Sequence, residues 1–90
     1  TVFISLNTSS IPINQHSLNS LESWLQNLGA IRDNNSPSIW HLNLSNWEAI
    51  IIFEQEDLSV TWNCDGKLTK RLFSYCINKG DVENAILQGP

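Results

Sequence analysis

The longest unbroken apolar run in the chain is Ala49 to Phe53, within the stretch WEAIIIFEQ. A strand with one face in the core and the other in water alternates apolar with polar, so five apolar residues in succession imply contacts on both faces. Four segments read as strands: Ser38 to Leu44, Trp47 to Glu54, Leu58 to Asn63 and Leu68 to Ile77. They are joined by Ser45-Asn46, by the acidic turn Glu54-Gln55-Glu56-Asp57, and by Asp65-Gly66, whose two positions tolerate positive φ. Ahead of the strands, Leu18, Leu21, Trp24, Leu25 and Leu28 recur at spacings of three and four and predict one helical stripe. Ser17 is its expected N-cap and Gly29 its stop. Val82, Ala85 and Ile86 predict a second helix, with Asn78 and Asp81 spaced like a capping box and Gly89-Pro90 closing it. The segment RDNNSPS, with Pro37, reads as a polar loop. Residues 1–16 read as an N-terminal leader, in which Val2, Phe3 and Ile4 can add an edge strand, and residues 17–90 as one domain.

Turn lengths set the register. A two-residue turn at Ser45-Asn46 pairs Leu42 with Ala49 and Trp40 with Ile51; a four-residue second turn pairs Phe53 with Leu58, Ile51 with Val60 and Ala49 with Trp62. The Asp65-Gly66 turn then brings Thr69, Arg71, Phe73, Tyr75 and Ile77 to the same side. The expected fold is therefore α+β: an antiparallel four-stranded meander in the order αββββα, with both helices on the face that carries Trp40, Trp47 and Trp62. On the opposite face, Ile39, Ile50, Ile52 and Leu72 fall among small polar residues, in rows with His41, Ser59, Thr61 and Lys70. Three readings of this open face stand side by side: contact with a partner, cover by the leader, and plain exposure. Arg71 falls on the apolar side beside Val60. Its stem is expected to lie on the core with its head at the rim, toward an acid such as Glu22 or Asp57, or toward a partner's carboxylate or phosphate.

Ninety residues form one domain with a thin core, burying roughly 60–65% of the unfolded surface. Five basic residues against nine acidic ones give a charge of −4, the wrong sign for binding phosphate backbones. No apolar run is long enough to span a bilayer and no basic-then-apolar segment resembles a signal peptide, so neither nucleic acid nor membrane insertion is expected and a cytoplasmic setting is.

Candidate chemistry is sparse. Cys64 and Cys76 have no metal spacing and fall on opposite faces of the sheet, so they read as reduced thiols. His16 and His41 have no acid close by in sequence. The acidic turn reads as a solvated loop, and neither a phosphate-binding loop nor a nucleophile motif is present. No cofactor, metal or catalytic residue is expected.

The helix QHSLNSLESWLQNLGA, the strand pair around NWEAII, then LSVTW, RLFSY and the close DVENAILQGP together resemble a small family of cyanobacteria and plastid-bearing organisms, known only as a domain of unknown function. The likeness covers roughly Asn14 to Pro90. That family has Asn-His-Pro ahead of the first helix, where this chain reads Gln15-His16-Ser17. The resemblance implies a non-membrane protein of a photosynthetic cell and assigns no activity. Two function classes remain. One is a non-enzymatic interaction or assembly module that meets a protein partner, or forms a weak homodimer, through Ile39, Ile50, Ile52, Leu72 and Arg71. The other is a small-ligand or minor catalytic domain with a site near His41, Lys70 and Arg71.

Overall fold

The fold is that of a computed structural model, which describes residues 11–90. Helix α1 (Leu18–Leu28) starts where the Ser17 hydroxyl accepts a hydrogen bond from the Ser20 amide, and stops at Gly29, whose φ of 102° lies in the left-handed region. Five strands follow: β1 (Ile31–Arg32), β2 (Ile39–Asn43), β3 (Glu48–Phe53), β4 (Asp57–Cys64) and β5 (Lys67–Ser74). Helix α2 (Lys79–Gln88) closes the chain. The strands form one antiparallel sheet in sequential order, a meander.

The register agrees with the turn-length argument. Leu42 opposes Ala49, Trp40 opposes Ile51 and then Val60 and Arg71, and Ala49 opposes Trp62 and then Thr69. Asp65 at φ 54° and Gly66 at φ 85° form the β4–β5 turn, both in the left-handed conformation that a two-residue hairpin requires. The sheet has a fifth strand in addition to the four expected. Ile31, just ahead of the segment read as a loop, and Arg32, its first residue, pair with His41 and Trp40. A run of two residues has no period to detect, and its pairing depends on residues 33–38 folding back, with the Asp33 amide donating to the Ile39 carbonyl at 2.8 Å.

One core lies between the sheet and both helices. It contains Leu21, Trp24 and Leu25 of α1, Val82 and Ile86 of α2, and Trp40, Leu42, Ala49, Ile51, Leu58, Val60, Trp62 and Phe73 of the sheet. Indole N–H groups fasten the helices: Trp62 donates to the Ile86 carbonyl at 3.1 Å and Trp24 to the Glu83 carboxylate at 2.8 Å. Ile13, in a short 3-10 turn (Ile13–Gln15), is 1% exposed within the same core. The Ile13 and Asn14 amides donate to the Ile77 and Tyr75 carbonyls, so the end of the segment read as leader is built into the domain. Val2 to Ile4, read as an edge strand, lie outside the described residues.

Candidate functional site: the open sheet face and its edges

Side chains directly opposite one another across strands share a face. The face turned away from the helices therefore carries three rows: Ile31, His41, Ile50, Thr61, Lys70; Ile39, Ile52, Ser59, Leu72; and Asn43, Glu48, Asn63, Leu68. Ile39, Ile50, Ile52 and Leu72 come together here, while Arg71 lies on the other face, opposite Val60.

Within the face, exposure is uneven. Ile39, Ile50 and Ile52 are half-buried, and the leader residues 1–10, one of the covers expected for this face, lie outside the described residues. Ser59 is 0% exposed, a small side chain between the larger Ile52 and Leu72, and its hydroxyl has no hydrogen-bond partner among the described residues. The open apolar surface lies instead at the two sides: Ile31 at 69% on β1, and Leu68 at 66% and Leu72 at 58% on β5. Leu68 could have been placed from the alternation of Leu68, Lys70 and Leu72, whereas nothing in the pattern marks Ile31.

His41 has a partner that its sequence neighbourhood did not suggest. Its Nε2 lies 2.9 Å from Asp33 Oδ1, brought there by the turn between β1 and β2. Hydrogen bonding to His41, and then to the Asn35 amide, holds the Asp33 carboxyl below its ordinary range. Lys70 is three strands away from His41 in the same row, about 14 Å at ordinary strand spacing, so His41, Lys70 and Arg71 do not converge.

Arg71 is exposed, and its guanidinium lies 4.9 Å from the Phe73 ring centroid rather than at an acid. Glu22, one of its two expected partners, pairs with Arg32 at 2.6 Å instead, and Arg32 also stacks 5.1 Å from the Trp40 ring. The expected acid partner is corrected accordingly: Arg71 is exposed and its head lies over the core residue Phe73.

On the helix side, Leu18, Glu22, Pro37, Ser38, Trp40 and Phe53 line an apolar cleft of about 180 Å³. Cys64 and Cys76 are free thiols. Among the described residues no three His, Cys, Asp or Glu side chains gather as metal ligands would, and no helix is long and apolar enough to cross a membrane.

Comparison with curated proteins returned no match, and comparison with solved structures returned none either. A family model does match, over residues 28–89, which take in the whole sheet and α2. The matched span covers more than half of the chain, and the chain therefore belongs to the family described as "Protein of unknown function (DUF3143)".

Proposed function

We propose that this protein is a non-enzymatic interaction or assembly module that meets a protein partner, or a second copy of itself, through the open sheet face. The observation that carries this reading is the apolar surface of that face, with Ile31, Leu68 and Leu72 more than half exposed around half-buried Ile39, Ile50 and Ile52. Large side chains left in water at the margins of a shared face favour a contact surface, because covering them gains roughly 25 cal/mol per Å². The acidic charge favours a protein partner over nucleic acid. The sequence likeness to a cyanobacterial and plastid family favours a photosynthetic cell, and its cytoplasm as the setting.

A ligand-binding or catalytic reading has less to stand on. His41 and Lys70 are three strands apart and Arg71 is on the other face. The apolar cleft includes none of the three in its lining, and its volume of about 180 Å³ is below the several hundred Å³ usual for a small-molecule site.

The test pairs Ile50→Lys with Ile52→Lys and uses Ile31→Lys, at an exposed position, as a second variant. Sedimentation and capture of the wild type are compared with both, alongside thermal melts and an exposed helix-side control, Gln26→Lys. Association or a specific captured protein that is lost in both face variants and kept in the control supports the reading. A wild type that remains monomeric and captures nothing, with a double variant that melts many degrees lower, would mean that this face is ordinary core.

A further inference from the structure

Strand β5 is the last in the sheet order, and among the described residues no strand lies along its outer side from Lys67 to Ser74. Every second residue of an edge strand turns its N–H and C=O outward, an unfilled template for another extended segment. Eight residues make it a long edge. The described part of the N-terminal segment docks beyond it, with Pro12 bridging to Asn78 and Asn14 bonding to Tyr75.

This edge is also the one strongly basic part of an acidic chain. Lys67, Lys70 and Arg71 are three of the five basic residues, all are exposed, and none has an ion pair among the described residues. Acids occur only at the two ends, Asp57 opposite Ser74 and Asp65 in the turn; Leu58 to Cys64, which face β5 between them, are uncharged.

We propose that β5 receives an acidic, extended segment of a partner protein as a sixth strand, with acids opposite Lys70 and Arg71 and apolar side chains opposite Leu68 and Leu72. Main-chain hydrogen bonds supply the docking, and the alternate side chains supply selectivity. Consecutive positions of the added strand fall on opposite faces, so two adjacent acids meet Lys70 on the open face and Arg71 on the helix side. Their apolar neighbours extend the open face beside the exposed leucines. A second copy is a poor occupant, since pairing two β5 edges sets three cations against three. The opposite edge, β1, is only two residues long and ends in Arg32. Residues 1–10, TVFISLNTSS, contain no acid to match the edge. Lysines on an edge keep like sheets apart, and the same charges select a strand of opposite sign.

This inference takes the interaction reading from the face to its edge, and the two fail separately: Ile50→Lys with Ile52→Lys leaves the β5 edge intact. The probe is a synthetic peptide about as long as β5, alternating valine and threonine around two adjacent central glutamates, titrated into the full chain and followed by amide NMR. Expected are shifts and slowed amide exchange along Lys67 to Ser74, with binding that weakens about tenfold between roughly 0.05 and 0.5 M salt. K70E with R71E, at exposed positions, should abolish binding of the glutamate peptide and confer binding of its lysine counterpart while the melt is retained. A glutamine peptide that binds as well, shifts that map to the open face or the cleft, or β5 amides protected in the free protein by self-association would each overturn the proposal.

Discussion

At the scale of single residues, two glycines both have positive φ but differ in ψ, 8° at Gly29 against −166° at Gly89, and in their surroundings. Gly29 has φ 102°, and a methyl added there meets Leu42 Cδ1 at 3.7 Å, an ordinary contact. Gly89 has φ 85°, and the same methyl would sit 2.6 Å from Trp47 Cε2, inside the indole. Gly29→Ala is expected to cost about 1 kcal/mol from backbone strain alone, and Gly89→Ala about 2–3 kcal/mol because α2's end must also lift off Trp47. Thermal melts that rank the two the other way would rule out this account of the Gly-Pro close. Asp33 offers a second check. Its folded pKa is depressed, so the contribution of the His41 pair is present above the ordinary carboxylate value of about 3.9 and is lost as pH falls through the lower folded value. Carboxyl NMR should find Asp33 titrating below that value in the wild type and moving upward in His41→Ala. An unchanged midpoint would show that the hydrogen bond does not set it.

Elements differ in how they are begun. Ser17 and Asn78 occupy equivalent N-cap positions with extended backbone, but only the Ser17 side chain makes a capping bond. Ser17→Ala should therefore destabilise by about 1 kcal/mol and Asn78→Ala by much less, read from denaturant midpoints; equal losses would contradict the assignment. The capping-box spacing of Asn78 and Asp81 was visible in the sequence, yet α2 is positioned chiefly by tertiary contacts. The Ile11 carbonyl accepts from the Lys79 amide, the Ile86 carbonyl accepts from Trp62, and Glu83 accepts from Trp24. A helix of ten residues is marginal alone, so these contacts decide where it begins and which face it turns inward.

For the whole molecule, one core carries the stability of ninety residues, and Trp62 lies at its centre, fully buried and bonded to α2. Trp62→Ala should cost about 3–5 kcal/mol, comparable to the entire stability of a small domain, and leave the chain unfolded or nearly so at ambient temperature by far-UV circular dichroism. A cooperative melt close to that of the wild type would mean that the helices hold the sheet without it.

Local rules determined the meander, the register and the start of α1, because a period of two, short turns of known length and a capping residue that bonds its own helix act over a few positions. Trp40 opposite Ile51 and Ala49 opposite Trp62 follow from those rules alone. Only tertiary structure decided the rest, through contacts that leave no local trace. Ile13 enters the core from a polar leader, Ile31 and Arg32 become a strand because the following turn returns them to β2, and Asp33 reaches His41 by that same turn. The open face was legible as a set of residues, but its exposure was not. Burial depends on neighbours brought together across the sheet: Ser59 is fully buried and Ile50 and Ile52 are half-buried, while Leu68, Lys70, Arg71 and Leu72 are exposed along β5, which has no further strand on its outer side among the described residues.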